Sequence, residues 1–298
     1  MTDLVSSSDA RGVVSCVVDA DPRFHLEALR WYAGLNRIAG VESTHLVVHA
    51  VGTDSSPQLD YLRREGVTVR SVEQFDARHP PCNKISGALA LAASRTDGLV
   101  ILTDSDVALL EDPRTLAVSP ESVASRIVVE PLPTVEVLAV IFETADLQLP
   151  PLVLLDWPDG VVTVAGNGNG GLYAIPGALF DRIVSAWEKW ARWLLARLHL
   201  FEPVDRRRGL DQVAMAMAMA SEGVGWQRLD SRWNLPIPLV WKADPRLLPP
   251  AGLHYHKKVE PSGELKLTQV PIVDNRIREL NSAIQGVFQE CLSAQNAG

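Results

Sequence analysis

The chain has 298 residues, of which 47% are hydrophobic and 21% are charged, and its formal net charge is -8 at pH 7. These values place it among ordinary globular proteins and suit one large α/β domain, or one such domain with a small appendage. The acidic balance, without a stripe of lysines and arginines, argues against a nucleic-acid backbone as the main partner.

The cysteines and the N-terminal residues indicate the compartment. Cys16, Cys82 and Cys291 are scattered and odd in number, so the sequence predicts neither a disulfide framework nor a zinc cluster. Met1 to Gly12 is polar and lacks the apolar core of a signal peptide, and no segment offers roughly 20 uninterrupted apolar residues. We therefore expect a cytoplasmic protein without a transmembrane segment, in which residues 1–12 form a disordered tail.

The first hundred residues alternate between apolar runs typical of buried strands and amphipathic segments typical of helices. The predicted strands are Val13–Val18, His45–Val51, Val67–Val69 and Leu99–Thr103. The predicted helices are Pro22–Ala39, which opens with Asp21 as its cap, Pro57–Glu65 and Pro81–Ser94. Such alternation predicts a parallel sheet with crossover helices.

The rest of the chain is less regular. Proline-rich connections surround Pro131 and Pro150, and the run Gly166–Gly171 reads either as a hairpin turn or as a loop of the functional site. Further helices are predicted at Gly177–Leu200, at Leu210–Glu222 and around Ile277 to Cys291. We expect residues 13–260 to form the main domain and residues 261–298 to form a C-terminal helical extension.

Two carboxylates, Asp104 and Asp106, follow the predicted strand Leu99–Thr103. Paired acidic oxygens suit Mg²⁺ or Mn²⁺, and ligands in α/β sheets gather at the carboxyl ends of strands. About one Asp-x-Asp is expected by chance in such a chain, and Asp19-Ala-Asp21 is a second copy. The motif therefore indicates a metal site only if the residues around it also fit one. The strand before Asp104 favours a metal site that neutralises a leaving diphosphate, over a polar turn that ends a strand.

Several short segments follow one another in a characteristic order. They are Asp19, the pair Asp104 and Asp106, the Asn/Gly run before Leu172, Asp211-Gln212, Trp233-Asn234 and His254-Tyr255-His256. From Val13 to Lys258 this order resembles the GT-A glycosyltransferases, above all the retaining family that includes glycogenin and bacterial lipopolysaccharide galactosyltransferases. The resemblance implies a GT-A, Rossmann-like fold for nucleotide-diphospho-sugar transfer, with a single mixed, mostly parallel sheet flanked by helices.

The resemblance also implies a metal site and a catalytic pair. It assigns Mn²⁺ or Mg²⁺ to Asp104, Asp106 and His254, with His256 as the alternative histidine. It places Asp211 on the hydroxyls of the donor sugar and Gln212 near the anomeric carbon. Without the resemblance, His254 also reads as a satisfied strand histidine and Asp211 as a solvated helix start.

Further residues are expected to contact the donor. Asn167, Asn169 and Gly170 are expected at the donor sugar, and Asp19, Lys84, Ser105 and Lys257 at the nucleotide or its phosphates. Two departures from the family stand out. Lys84 occupies the position of an arginine, so that a point charge replaces a planar fork. His256-Lys257-Lys258-Val259 stands where the family has Gly-x-x-Lys-Pro-Trp.

The expected chemistry is sugar transfer from a nucleoside-diphosphate sugar, with a UDP-sugar favoured. Metal and lysines would stabilise the departing diphosphate while the sugar becomes oxocarbenium-like. A neutral Gln212 amide beside the anomeric centre favours retention, whereas an Asp211 near the acceptor hydroxyl would act as the base of an inverting reaction. Trp226 and Trp233 are candidates for stacking on an acceptor. The acceptor is expected to be a small molecule, a glycan or a lipid-linked sugar, and a second copy of the chain is a candidate partner in a homo-oligomer.

Three other functions fit less well. Phosphoryl transfer of the haloacid-dehalogenase type needs Thr or Val where the chain has Ala108, and places its motif after the first strand. A sugar nucleotidyltransferase needs a glycine-rich basic loop that is missing at Asp19–Phe24. A nucleotide-sugar-binding protein without turnover would keep the same pocket and is distinguished by donor binding without transfer.

Overall fold

The computed structural model describes residues 12–296 except 54, 95–97, 131, 157–159, 202–208 and 243–247. The disordered tail predicted for residues 1–12 therefore lies, apart from Gly12, outside the described residues. The strands are β1 (Val13–Val18), β2 (Leu46–Val51), β3 (Thr68–Val72), β4 (Leu99–Asp104), β5 (Val107–Leu109), β6 (Ser122–Ile127), β7 (Leu152–Leu154), β8 (Val162–Val164), β9 (Gly168–Pro176), β10 (Gly225–Arg228), β11 (Leu235–Pro236) and β12 (Gly252–His254). The α-helices are α1 (Pro22–Tyr32), α2 (Pro57–Arg64), α3 (Asn83–Ala92), α4 (Val135–Thr144), α5 (Gly177–Leu195), α6 (Leu210–Glu222) and α7 (Pro271–Asn296).

The central sheet has seven strands in the order β10-β6-β9-β4-β1-β2-β3. Strands β1 to β4 pair in parallel, as the alternation of strand and helix predicts. Strand β9 runs antiparallel to both of its neighbours, β4 and β6. The sheet is therefore mixed and mostly parallel, which confirms the predicted fold class.

Helices cover both faces of this sheet because successive strand residues point to opposite sides. Val14, Cys16 and Val18 of β1 belong to one buried cluster, together with apolar side chains of α1, α2 and α7. Val13 of β1 and Val47 of β2 belong to a second cluster with α3, α4, α5 and α6. The apolar strands are thus buried on both sides, as their continuous hydrophobic sequences predict.

Local signals place several helix starts correctly. The Asp21 carboxylate accepts a hydrogen bond from the Arg23 backbone N–H at 3.0 Å, and Pro22 opens α1. The Ser56 hydroxyl accepts one from the Leu59 N–H at 3.2 Å and Pro57 opens α2. These are N-cap arrangements with proline in the first turn, where its missing N–H costs nothing.

Several predicted bounds change in the structure. The helix predicted to Ala39 is α-helical to Tyr32 and continues as π-helical turns over Ala33–Ile38. The helix predicted over Gly177–Leu200 ends at Leu195, and the one predicted from Pro81 begins as a 3₁₀ turn at Pro80–Cys82. Adjacent prolines in that turn cannot donate backbone hydrogen bonds, so the regular α-helical ladder starts after them.

The hairpin-turn reading of Gly166–Gly171 is wrong, because Gly168–Pro176 form β9 at the middle of the sheet. The turn lies just before it, at Ala165 and Gly166, and Gly166 has a φ of +86°. The Asn-Gly sequence favours a turn locally, but in the folded chain this segment pairs with β4 on one side and β6 on the other. Tertiary pairing therefore overrides the turn propensity.

Within the predicted C-terminal extension, residues 271–296 form α7, which packs against the main core. Six of its apolar side chains are buried in the cluster formed with α1 and α2: Val273, Ile277, Leu280, Ile284, Val287 and Cys291. No helix in the described part of the chain has the length and apolarity needed to cross a bilayer.

Candidate functional site

The topology brings Asp106 and His254 together from distant parts of the sequence. Strand β4 ends at Asp104, which lies opposite Val17 near the end of β1. Strand β5 begins just beyond Asp106 and pairs antiparallel with β12, so that His254 lies opposite Val107. The Tyr255 N–H donates to the Asp106 carbonyl oxygen at 3.1 Å, which holds the two segments in register.

A cleft of about 750 Å³ opens at this end of the sheet. One wall is α1, which presents Phe24, Leu26 and Glu27. The polar residues predicted at the site that line it are Asp19, Lys84, Asp104, Ser105, Asp106, His256 and Lys257. A cleft of this size accommodates a small ligand, and its place at the carboxyl ends of β1 and β4 is the usual one in α/β sheets.

Lys84 is the central cation of the site. Its Nζ lies 2.6 Å from Asp104 Oδ1 and 3.8 Å from Asp211 Oδ2, and it donates to the Gly170 carbonyl oxygen at 2.5 Å. Burial disfavours the ammonium, but the carboxylates of Asp104 and Asp211 outweigh burial and raise the pKa of Lys84 above its ordinary value. Lys84 therefore stays charged and connects helix α3, strand β9 and both acids.

The second acid of the pair contacts both histidines. Asp106 Oδ1 lies 3.2 Å from His254 Nε2, and its Oδ2 lies 3.5 Å from His256 Nδ1. One ligand atom from each of these three residues lies within 4.8 Å of the others, a spacing that fits one metal ion. Burial raises the pKa of the Asp106 carboxyl, but His254 and His256 outweigh burial and hold that pKa well below its usual range.

A chain of hydrogen bonds orients His254. The Gly171 N–H donates to Asn169 Oδ1 at 3.0 Å, and Asn234 Nδ2 donates to the same oxygen at 2.9 Å. Asn234 Oδ1 is thereby turned toward His254 Nδ1, at 3.0 Å, and accepts a hydrogen bond from its N–H. The Gly171 N–H can only donate, so the oxygen and nitrogen of each asparagine amide in this series of hydrogen bonds are fixed in turn. Nε2 of His254 is the ring nitrogen left to face Asp106.

Two adjacent glycines of β9, Gly170 and Gly171, let both halves of the site approach the strand. A Cβ on Gly170 would lie 3.0 Å from Lys84 Nζ and 3.2 Å from Asp211 Oδ2. On Gly171, which points to the other face, it would lie 2.8 Å from both Asn234 Nδ2 and His254 Nδ1. The sequence Asn-Gly-Gly thus serves close packing within a strand.

Asp211 and Gln212 begin α6 next to β9. The Asp211 carboxylate is buried between Lys84 and His79, whose Nε2 lies 3.8 Å away. Burial raises its pKa, but His79 and Lys84 outweigh burial and leave the pKa of Asp211 below its ordinary value. Gln212 is half-buried, and its Cγ would lie 3.4 Å from a Cβ on Gly170. The pair therefore lies on the Lys84 side of the site, away from the two histidines.

The other predicted contacts differ in accessibility. Asp19 accepts from Asn83 Nδ2 at 2.7 Å and lines the cleft, and Ser105 Oγ donates to Glu27 Oε2 at 2.6 Å. Asn167 is buried, and its Nδ2 donates to Thr163 Oγ1 at 2.8 Å. Of the two asparagines, Asn169 is the one joined to the His254 chain.

The two tryptophans predicted at an acceptor lie outside the lining of the cleft. Trp226 is half-buried and its Nε1 donates to Ser125 Oγ at 2.9 Å. Trp233 is 9% exposed and packs in the core cluster.

No role was predicted for Glu27, His79 and Asn234, which the structure places at the site. Burial raises the pKa of the Glu27 carboxyl to about 7, although Ser105 donates a hydrogen bond to it. No local pattern singles out Glu27, because it occupies one position of an amphipathic helix. Asn234 belongs to the Trp233-Asn234 segment, which precedes the His-Tyr-His motif in the chain. That order was the sequence feature that could have indicated its place at the site.

No known family model matches the chain, and no curated protein sequence matches it. Solved structures do. The glycosyltransferase GlyE of Streptococcus pneumoniae aligns with 94% of this chain at 15% identity and a TM-score of 0.53. This chain covers 63% of GlyE and so spans less than two thirds of that protein's length.

The galactosyltransferase LgtC, solved with donor and acceptor sugar analogues, aligns with 90% of this chain, at 14% identity and a TM-score of 0.52, over 95% of its own length. An active-site mutant of LgtC, in which glutamine is replaced by glutamate, gives a TM-score of 0.53 at the same identity. Together with the sheet order, these likenesses define the class: the chain has a GT-A glycosyltransferase fold.

Proposed function

We propose that this chain is a metal-dependent glycosyltransferase that moves a sugar from a nucleoside-diphosphate sugar, with a UDP-sugar favoured, to an acceptor. The observation that carries the proposal is the arrangement around β9. Asp106 and His254 meet on one side of this strand, and Lys84, Asp211 and Gln212 meet on the other. A fold alone hosts many activities, so this arrangement carries more weight than the likeness to known enzymes.

The chemistry of the donor set fits a divalent metal. Asp104, Asp106 and His254 would supply oxygen and nitrogen ligands to Mn²⁺ or Mg²⁺ where the ends of β4 and β12 meet, with His256 as a further candidate. When bound, such an ion neutralises the charge that develops on a leaving diphosphate. The Asn234 and Asn169 amides support this role because they present the free ring nitrogen of His254 toward Asp106.

Lysines complete the expected phosphate site. Lys84 is buried and charged, and its contacts with Asp104 and the Gly170 carbonyl hold its ammonium at the base of the cleft. Lys257 is exposed, lines the same cleft and would contact an entering diphosphate. We assign the nucleotide itself to Asp19 and Ser105, which line the same cleft.

Asp211, Gln212 and Asn169 are assigned to the donor sugar, together with Gly170 and Asn167. The Asp211 carboxylate would accept hydrogen bonds from sugar hydroxyls, since Lys84 and His79 keep it ionised. The neutral Gln212 amide would lie against the positive anomeric carbon without forming a stable adduct, which favours retention. A glutamine also belongs to the active site of LgtC, and this supports the assignment.

The acceptor is a small molecule, a glycan or a lipid-linked sugar. Trp226 is a better candidate than Trp233 for stacking on it, because Trp226 is half-buried whereas Trp233 lies in the core. The three cysteines are all free and buried, which supports a reducing compartment such as the cytoplasm. We also propose that the chain forms a homo-oligomer.

The first experiment measures the melting temperature with a panel of UDP- and GDP-sugars, each with Mn²⁺, with Mg²⁺ and with a chelator. A donor that binds the folded state raises the melting temperature, and the proposal expects this for at least one sugar nucleotide only when metal is present. Release of the nucleoside diphosphate then separates a transferase from a binding protein without turnover. A folded Asp106→Asn variant should lose the metal-dependent shift. If no sugar nucleotide stabilises the wild-type protein, the proposal is wrong.

A further inference from the structure

We propose that the metal centre of this chain has two histidine ligands, His254 and His256, beside Asp106, and that it selects a late first-row divalent cation over Mg²⁺. The inference deepens the proposed function, on which it rests for the role of the metal. From the Asp-x-Asp pattern alone, mainly oxygen ligands would be expected.

The distances suit three ligands of one ion. Asp106 lies 3.2 Å from His254 Nε2 and 3.5 Å from His256 Nδ1. Two ligand atoms bound at about 2.1 Å to the same ion lie roughly 3.0 to 3.5 Å apart in octahedral or tetrahedral geometry. The two imidazole rings stack with their centroids 3.8 Å apart and 31° between their planes, and each ring directs one nitrogen at the same carboxylate.

The orientation of His254 requires a positive species between it and Asp106. Asn234 Oδ1 accepts from His254 Nδ1, so in the neutral ring the lone pair of Nε2 points at a carboxylate oxygen. Two lone pairs at this distance repel each other unless a proton or a cation lies between them. This is the arrangement in which an amide fixes the tautomer of a metal-binding histidine.

His256 reaches Asp106 through an unusual backbone conformation. Its φ is +48°, and it is one of only three described non-glycine residues with a positive φ, along with Asp146 and Gln269. Such a conformation costs about 1 to 3 kcal/mol and tends to occur where function requires it. Although the side chain is 45% exposed, its ring turns back over His254 and toward Asp106 instead of extending into solvent.

Asp104 has a different partner. Its Oδ1 lies 2.6 Å from Lys84 Nζ, and Lys84 is held in turn by the Gly170 carbonyl oxygen. Because the Lys84 ammonium already neutralises part of its charge, the Asp104 carboxylate attracts a metal ion less strongly than the Asp106 carboxylate does. His256 thus adds a second imidazole to the ligands that an Asp-x-Asp site with one histidine would supply.

The ligand set has a chemical consequence. Imidazole nitrogens suit Zn²⁺, Co²⁺ and Fe²⁺, whereas Mg²⁺ prefers oxygen ligands and gives up its water reluctantly. Along the first-row series affinity rises from Mn²⁺ to Co²⁺. The site should therefore bind Co²⁺ more tightly than Mn²⁺, and Mn²⁺ more tightly than Mg²⁺.

The test uses the full chain with metal alone and no nucleotide. Pulsed EPR of bound Mn²⁺ counts ligated imidazoles through their nitrogen couplings, and titration calorimetry compares Co²⁺, Mn²⁺ and Mg²⁺. We expect two imidazoles in the wild-type protein and one in His256→Asn, with at least a 10-fold loss of Co²⁺ affinity in that variant. Asparagine is chosen because it tolerates a positive φ. Circular dichroism and the melting temperature establish that each variant is folded.

His199→Asn is the matched control, because His199 is exposed and belongs neither to the lining of the cleft nor to the metal cluster. This variant should keep the two-imidazole signal and the Co²⁺ affinity of the wild-type protein. A single imidazole in the wild-type protein, unchanged Co²⁺ affinity in His256→Asn, or tighter binding of Mg²⁺ than of Co²⁺ would overturn it. Failure of the proposed function shows differently: sugar nucleotides would give no thermal shift while the two-imidazole signal remained.

Discussion

Lys84 Nζ lies 2.6 Å from Asp104 Oδ1 and 3.8 Å from Asp211 Oδ2, so one buried ammonium joins the end of β4 to the start of α6. The two acids belong to different parts of the proposed site, one beside the metal and the other beside the donor sugar. Their relative position therefore depends on a single side chain.

Replacing Lys84 should be costly. Lys84→Met leaves Asp104 and the buried Asp211 without their cation, and removing one partner from a buried ion pair costs about 3 to 5 kcal/mol. We expect the free energy of unfolding, measured in urea, to fall by at least about 2 kcal/mol, since Asp104 is partly exposed. The control is Lys266→Met, because Lys266 lies 3.9 Å from Glu260 on the surface. That variant should lose less than about 1 kcal/mol, and equal losses in both would contradict the central role of Lys84.

Gly171→Ala should disturb the histidine side of the site. The added Cβ would lie 2.8 Å from His254 Nδ1 and Asn234 Nδ2, so the hydrogen-bond chain must shift. We expect a loss of about 1 to 3 kcal/mol in the free energy of unfolding and weaker Mn²⁺ binding. In Gly286→Ala a Cβ on α7 meets no atom within 4 Å, and stability should stay equal or rise. Unchanged Mn²⁺ affinity in Gly171→Ala would show that the chain does not orient His254.

The buried Glu27 carboxyl should make the stability of the folded protein depend on pH. Burial raises the pKa of its carboxyl from 4.5 to about 7, so between these values the folded state holds a proton that the unfolded state has lost. The free energy of unfolding should therefore fall as the pH rises from about 4.5 to about 7, by at most about 3 kcal/mol, and then level off. Glu27→Gln keeps the hydrogen-bonding shape and removes this fall.

The measurement is chemical denaturation of wild type and Glu27→Gln across this pH range, with a chelator present. The exposed Glu143 supplies the control, since Glu143→Gln should leave the slope of the wild type in place. Parallel curves for wild type and Glu27→Gln would mean that the Glu27 carboxyl does not titrate in this range.

Gln212→Ala should separate binding from chemistry. Its amide is proposed to face the anomeric carbon, so its removal should leave donor affinity nearly unchanged and lower kcat by about 10²-fold or more. Donor affinity comes from calorimetry and kcat from release of the nucleoside diphosphate. Gln148→Ala alters an exposed residue and should change neither quantity. Full activity in Gln212→Ala would refute the assignment.

Local chemistry in the sequence predicted most of the parallel half of the fold. Apolar runs predicted β1 and β4, a cap followed by proline predicted the start of α1, and the helix predicted from Pro57 is α2. Leu210–Glu222 is helical over the predicted range. These features depend on residues that are close in sequence, where periodicity and capping act directly.

The candidate site was predictable only as a set of residues. The sequence placed Asp104 and Asp106 at a strand end and marked His254 and His256 as late candidates. It could not show which acid pairs with a cation, because Lys84 meets Asp104 only when α3 packs beside β4 and β9. Whether these residues perform the proposed roles stays a prediction.

The sequence by itself determined the strand-helix alternation, the strand that ends in two acids and the absence of local signals for a disulfide framework. The tertiary structure alone decided that Asn169 and Gly171 belong to a central strand, that Asn234 orients His254, and that His256 turns back to Asp106. The physical reason is that sheet register and ångström-scale contacts between distant segments depend on the packing of the whole chain, whereas periodicity and capping act within a few residues.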